Sequence, residues 1–275
     1  MVTTTFDKLI EPLQEFFEKE SEQIDKASKS RSLTFKLFTL TFILGYIKQQ
    51  PSLRKLCDFI QISPDAKELD IAYTPFSTLK DGFSRFLASY FVDLYKFVLE
   101  KSDTTRIESI DELGLLSLVD GSIFSTISSM AWAEYKKSKN AIKLHLEFGL
   151  NQMIPLEFLG DKANLSERKF LLSILTLGVT YVCDRGYFSF DVAAAIENAR
   201  AFFIIRLKNN MVYQVGKQLK VSGDIPQCLK NVSDQLVRFT NNKHQKVYRI
   251  VYFKVLDSQF YICTNRLDLT TLQII

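Results

Sequence analysis

Apolar residues recur every three or four positions through the first hundred residues, with charged residues between them. This spacing predicts amphipathic helices, the clearest of which begins near Phe6. Residues 33–44 are apolar on nearly all sides and predict a buried helix, since the stretch is shorter than the ~20 residues of a membrane span. Pro51 and Ser52 suit the start of a third helix, and 79–99 forms a fourth amphipathic run. The pattern predicts a bundle of short helices, and it leaves open whether the bundle holds a helix-turn-helix.

The periodicity changes after a polar segment at 101–111, which we take as a domain boundary. Residues 115–119 read as a strand, 141–150 alternate between apolar and polar positions, and 154–159 read as a third strand. One side of the alternating strand is apolar and the other polar; the apolar side is Leu144, Leu146 and Phe148, and the polar side is Lys143, His145 and Glu147. Together these segments predict an antiparallel meander.

Residues 164–207 alternate between helical and strand-like patterns. A helix capped by Asn164 or Ser166, a strand at 180–183, a helix from Ser189 and a strand at 202–207 follow in turn. The resulting order, β-β-β-α-β-α-β, is that of a ribonuclease-H-like fold in the α+β / α/β class.

Residues 211–265 again read as strands separated by Gly and Asn turns, and basic residues are frequent there. They are Lys208, Lys217, Lys220, Lys230, Arg238, Lys243, Lys246, Arg249 and Lys254. This pattern predicts a β-rich insertion with a basic face, which is either a nucleic-acid contact or a solvated surface. The predicted organisation is a helical N-terminal domain (1–105), a ribonuclease-H-like core (106–210), the insertion (211–258) and a return to the core (259–275).

Composition adds few constraints. The 275 residues are 47% hydrophobic and carry a net charge of +4, which permits a polyanionic partner without requiring one. The four cysteines form no C-x-x-C pair, so a zinc cluster is not indicated and reduced thiols are expected. The N-terminus lacks the pattern of a signal peptide, and we expect a cytoplasmic protein with no membrane partner.

Two aspartates follow two apolar strands. Asp120 comes after 115–119 and precedes Gly121, whereas Asp184 comes after 180–183 and precedes Gly186. We expect each aspartate at the C-terminal tip of its strand, where the backbone bends at the glycine. Two carboxylates at neighbouring strand tips can bind one metal ion, because hard cations prefer oxygen ligands.

Several motifs, in this order and spacing, resemble bacterial insertion-sequence transposases of the DDE type, the cut-and-paste group with a Tyr-Arg-Glu-Lys signature. They are Leu118-Val-Asp-Gly-Ser122, Ala141-Ile-Lys-Leu-His-Leu146, Ile154-Pro-Leu-Glu-Phe-Leu159, Cys183-Asp-Arg-Gly-Tyr-Phe-Ser189, Phe203-Ile-Ile-Arg-Leu-Lys208 and Cys263-Thr-Asn-Arg-Leu-Asp-Leu269. The resemblance covers roughly residues 112–275, and the first hundred residues are similar to the helical N-terminal region of such proteins.

The resemblance implies a function in DNA transposition. It implies that Asp120 and Asp184 are the first two catalytic acids and metal ligands of a two-ion Mg²⁺ site, with no other cofactor. It also implies double-stranded DNA with terminal inverted repeats as the partner, a homodimer on that DNA, and association with the bacterial nucleoid. The candidate DNA-binding residues are Arg185, Tyr187, Lys136, Lys137, Lys139 and Lys143. A structural role for Arg185 and Tyr187, and a solvated loop for the lysines, are the alternatives.

The sequence departs from the family at the third acid. The family places a glutamate within Y-x₂-R-x₃-E-x₆-K on a helix after the insertion, and residues 1–275 contain no such run; Asp268 does not match it. We therefore expect a truncated transposase with little or no strand-transfer activity of its own. The alternative is a non-catalytic DNA-binding remnant or regulator of transposition. A different ribonuclease-H-like nuclease is disfavoured, because the additional acids of such enzymes are missing.

Overall fold

The computed structural model describes residues 5–29, 32–102, 106–126, 134–136, 139–162 and 166–275. The chain divides into two compact units, Met1–Asp103 and Thr104–Ile275. The division falls inside the polar segment at 101–111. The finer division of the second unit into core, insertion and return stays a prediction.

The first unit is helical. Its elements are α1 (Thr5–Ala27), α2 (Phe35–Ile47), α3 (Leu53–Ile62), α4 (Pro64–Glu68), α5 (Phe76–Arg85) and α6 (Ala88–Lys101). Side-chain oxygens of Thr34, Ser52 and Ser63 cap α2, α3 and α4 by accepting from backbone N–H groups of the first turn. Among the described helices, none is both long enough and apolar enough to cross a membrane.

Phenylalanines form much of the core of this unit. The Phe35 ring lies 5.5 Å from Phe86 and 5.0 Å from Phe91, and the Phe38 ring lies 5.2 Å from Phe86. The continuous helix expected over 79–99 is wrong, because the chain is extended at Phe86 and Leu87 and two helices result. Burial of Phe86 between Phe35 and Phe38 fixes that break.

The second unit is built on a large mixed sheet. Its strands are β1 (Leu115–Thr126), β2 (Glu134–Lys136), β3 (Lys139–Gly149), β4 (Ile154–Lys162), β5 (Val179–Cys183), β6 (Phe202–Arg206), β7 (Tyr213–Leu219), β8 (Leu229–Phe239), β9 (Val247–Val255) and β10 (Ser258–Thr264). Their order is β2-β3-β1-β5-β6-β10-β9-β8-β7, with β4 on β3. The pairs β1–β5 and β5–β6 are parallel, whereas the other pairs are antiparallel. The strands of 211–258 thus extend the same sheet.

Helices α7 (Glu167–Ser173) and α8 (Phe190–Asn198) cover one face of the sheet. Their side chains pack with Val119, Tyr181 and Phe203 in the main core of the unit. A smaller core includes Val251, Phe253, Leu269 and Ile274, the last of which belongs to α9 (Thr271–Ile274). A capping box between Thr270 and Gln273 marks the start of α9.

Two strand boundaries differ from the sequence prediction. β1 continues to Thr126, because β3 pairs with it as far as Thr126–Asn140. Asp120 therefore lies inside a strand, and Gly121 is paired with His145 and forms no turn. In the insertion, Gly216 likewise forms no turn between strands, since β7 runs from Tyr213 to Leu219 across a bulge near this glycine.

Candidate functional site

Asp120 and Asp184 directly follow the last paired residues of two neighbouring parallel strands. The pairing of β1 with β5 ends at Val119–Cys183; Asp120 continues β1, whereas Asp184 lies just beyond the end of β5. Neighbouring strands are about 4.8 Å apart, so the backbone positions that carry the two aspartates lie close together. Both aspartates are exposed, whereas Val119 and Cys183 are buried. The last parallel pair thus directly precedes both aspartates, although it does not mark the end of β1, and their convergence on a metal stays a prediction.

The electrostatics of the buried neighbours agree with this placement. Burial raises the pKa of the Cys183 thiol, and the negative charge of Asp120 raises it further. Burial also raises the pKa of the Tyr187 phenol, with smaller contributions from Glu167, Cys183 and Asp120. The Asp120 carboxylate therefore acts on the residue that precedes Asp184 and on the turn that follows it.

The two carboxylates suit a hard divalent cation. Mg²⁺ is commonly held by one or two carboxylates, with water and substrate phosphate completing its coordination. The described part of the chain contains no group of three or more His, Cys, Asp or Glu side chains arranged to hold a metal. The donor set thus fits Mg²⁺ bound through two carboxylates, and no third protein carboxylate joins them among the described residues.

Two of the candidate DNA-binding residues are not on the surface. Lys143 is buried and forms an ion pair with Glu167, and the Tyr187 ring is buried in the main core. Neither side chain is free to contact a phosphate backbone. Arg185, between the second aspartate and Gly186, is exposed.

The other lysines of that set are only partly described. Lys136 lies in β2 and Lys139 begins β3, whereas Lys137 lies outside the described residues. The structure gives no account of the side chains of Lys136 and Lys139, so their contact with DNA stays a prediction.

The polar side of β3 is the buried side, which the alternating sequence pattern alone does not predict. Lys143, His145 and Glu147 are at most 8% exposed, whereas Leu144 and Leu146 are half-buried. The polar side faces α7: the His145 ring stacks on Phe170 at 5.3 Å. Glu147 accepts a 2.7 Å hydrogen bond from Ser117 Oγ, and the contact to Glu167 accounts for Lys143. The signal available in the sequence was a glutamate, Glu167, at the start of the following helix.

The basic face of the insertion is smaller than the sequence suggests. Arg249 is buried and makes a bidentate ion pair with Asp234. Lys243 pairs with Asp191, and Lys246 pairs with Glu197. Exposed basic residues nevertheless include Lys208, Lys217, Lys220, Lys230 and Arg238.

Comparisons with known proteins point to one family. Residues 113–274 match the model of the transposase DDE domain. A putative transposase from Sinorhizobium fredii is 25% identical over 134 residues, which are 48% of this chain and 38% of the relative. The chain therefore matches less than two-fifths of that relative's length.

Two solved structures are similar at a lower level. One is a piggyBac transposase in a synaptic complex with hairpin DNA, with a TM-score of 0.46 and 13% identity over 92% of this chain and 60% of that one. The other is an endonuclease V from Bacillus subtilis, with a TM-score of 0.29 and 10% identity over 68% of this chain and 81% of that one. Both TM-scores lie below 0.5, and neither likeness defines the fold.

Proposed function

Since this chain belongs to the transposase DDE domain family, we propose that it acts in DNA transposition through a metal-dependent phosphodiester site formed by Asp120 and Asp184 on a ribonuclease-H-like core. One observation carries the proposal: the two exposed aspartates each directly follow the last residue pair, Val119–Cys183, of the parallel strands β1 and β5. Structural aspartates in turns or helix caps have no reason to share this register.

In this proposal the two carboxylates hold Mg²⁺ at the end of the parallel pairing. Mg²⁺ held there would supply the Lewis-acid chemistry for attack of a water or a 3′-hydroxyl on the phosphodiester and for stabilisation of the leaving oxygen. The carboxylates of Asp120 and Asp184 supply the negative charge that retains the cation, and Arg185, which is exposed, is the residue proposed to contact a neighbouring phosphate. Tyr187 contributes by packing in the core behind the turn, and Lys143 lies beneath the site.

The proposed partner is double-stranded DNA, in the form of terminal inverted repeats, bound by a homodimer. The exposed lysines and arginine of 208–238 and the net charge of +4 support a polyanionic partner. Lys136, Lys137 and Lys139 remain candidates for phosphate contact on the same grounds of charge.

A second candidate is a DNA-binding protein that regulates transposition without cleaving DNA. It is favoured by the absence, within the described ranges, of a third metal-binding carboxylate beside Asp120 and Asp184. A site of two carboxylates binds metal weakly. We therefore expect residues 1–275 by themselves to cleave DNA slowly.

Metal binding and DNA cleavage test the two candidates together. We expect the chain to bind Mn²⁺, used as a spectroscopic substitute for Mg²⁺, and Asp120→Ala and Asp184→Ala to weaken this binding by more than about tenfold. Loss of a hydrogen-bond partner of a metal ligand already costs about 10–100-fold, and loss of the ligand itself costs more. Asp257→Ala, which removes an exposed turn carboxylate, is the matched control.

Electron paramagnetic resonance titration measures the affinity, and a labelled duplex measures binding and cleavage. Mn²⁺ affinity that is equal in wild type, Asp120→Ala and Asp184→Ala would disprove the assigned site. Metal and DNA binding without any cleavage would favour the regulatory candidate.

A further inference from the structure

An ion pair lies under the two chain segments that carry the aspartates. Lys143 is in the middle of β3, with its side chain 9% exposed, and Glu167 is the first residue of α7, with its side chain 29% exposed. Lys143 Nζ donates a hydrogen bond to Glu167 Oε1. The pair therefore joins the strand beside β1 to α7, which packs in one core with residues of β1 and β5.

The lysine end of this pair fills the space beside the residue after Asp120. Gly121 faces His145 across the β1–β3 ladder. A Cβ atom at Gly121 would lie 2.6 Å from Lys143 Cε and 3.3 Å from His145 Nδ1, and the first distance is shorter than a van der Waals contact permits. The absence of a side chain at Gly121 thus leaves the space in which the end of the Lys143 side chain packs on the backbone of β1.

The glutamate end makes the equivalent contact with the segment after Asp184. A Cβ atom at Gly186 would overlap the Glu167 carboxylate. Glu167, Gly186 and Lys143 line one cavity of about 300 Å³ together with Ser166 and Arg168. The neighbouring Arg168 donates a 2.8 Å hydrogen bond to the backbone carbonyl of Phe188, so α7 is attached to the 184–189 segment at a second point.

Stability alone does not account for such a pair. A buried ion pair gives little net stabilisation, and apolar residues of similar size often stabilise a fold as well or better. An ion pair does, however, fix the direction and distance between its two partners. Here one partner packs on Gly121, which follows Asp120, and the other packs on Gly186, shortly after Asp184.

We propose that Lys143 and Glu167 are positioning residues, which hold the segments after Asp120 and Asp184 at the separation that lets both carboxylates share one divalent cation. The inference rests on the proposed function for the identity of the ligand. The two residues act through the backbone of Gly121 and Gly186, and they do not touch the metal or the DNA.

Two pairs of single substitutions test this role in the full chain. Lys143→Met and Glu167→Gln break the pair, whereas Gly121→Ala and Gly186→Ala push one partner out of place. We expect all four to weaken Mn²⁺ binding by about tenfold, the lower end of the range for groups that support metal ligands. We also expect faster amide hydrogen exchange at residues 120–122 and 184–187 than in the wild type. Gly160→Ala is the control, because nothing lies within 4 Å of a Cβ atom there.

The double variant Lys143→Met, Glu167→Leu separates positioning from stability. It leaves no unpaired charge, so its free energy of unfolding recovers relative to the single variants. If the pair positions the aspartates, Mn²⁺ affinity and protection of the two segments stay low in the double variant. Recovery of affinity together with stability would overturn the proposal and leave the pair a purely structural role.

The experiment distinguishes failure of this proposal from failure of the proposed function. Unchanged Mn²⁺ binding in Asp120→Ala would remove the metal site, and hydrogen exchange would then decide the positioning role alone. Faster exchange at both segments in Lys143→Met and Glu167→Gln would support it, and unaltered exchange would reject it.

Discussion

At the scale of single residues, burial determines which protonation state a polar side chain favours. His145 is fully buried, and among the described residues neither ring nitrogen has a hydrogen-bond partner. Burial lowers the pKa of His145, the charge of Lys143 lowers it further, and Glu167 and Asp161 act in the opposite direction. The folded protein therefore favours the neutral imidazole.

This predicts a loss of stability in weak acid. Below the ordinary histidine pKa of 6.5 the unfolded chain takes up a proton that the folded chain resists, so the free energy of unfolding falls as the pH is lowered through that value. In His145→Phe, which preserves the stacking on Phe170, we expect a smaller decline between pH 7 and pH 5 than in the wild type. Urea denaturation at the two pH values measures the difference. An equal decline in both proteins would contradict the prediction.

At the scale of elements, a buried polar network connects the outer strands to the segment after β10. Arg249 on β9 pairs with Asp234 on β8 and donates to the backbone carbonyls of Arg266 and Leu269. Thr271, at the start of α9, donates a 2.7 Å hydrogen bond to Asp234. The strands of 229–255 and the start of α9 are therefore held by one carboxylate and one guanidinium.

We expect Arg249→Met to lower the free energy of unfolding by about 3–5 kcal/mol, since it leaves the Asp234 carboxylate buried without its cation. Arg238→Met, at an exposed position of β8, is the control and should change stability by less than about 0.5 kcal/mol. Chemical denaturation of both variants measures the effect. A cost for Arg249→Met no larger than that of the control would show that the network does not hold these elements.

At the scale of the whole molecule, the two compact units have separate cores. Phe35 belongs to the core of the helical unit and Phe203 to the main core of the sheet unit, and both rings are fully buried. No residue is shared between these two cores within the described ranges.

Separate cores predict separate unfolding transitions. Phe35→Ala should lower the midpoint temperature of one calorimetric transition, and Phe203→Ala should lower that of another. Each substitution should reduce the free energy of unfolding of its own unit by about 3–5 kcal/mol. Scanning calorimetry of the two variants and the wild type measures the midpoints. A single transition that both substitutions shift equally would show that the units unfold together.

How far the sequence alone reaches differs between parts of the molecule. It predicts the helical first unit and, apart from β2, the order of strands and helices from 115 to 207, because periodicity, caps and turns are local properties. The split at Phe86 could not be predicted, since it depends on contacts with Phe35 and Phe38 from a distant part of the chain.

The sequence by itself determined that two aspartates follow two apolar strands, and that a family of transposases shares this order. Only the tertiary structure decided which side of β3 is buried, because period-two alternation defines two faces without saying which one a helix covers. It likewise decided that β1 continues past Asp120, since strand length depends on how far a partner strand extends. The packing of Lys143 on Gly121 and of Glu167 on Gly186 follows from that assembly, in which residues far apart in sequence meet under the two carboxylates.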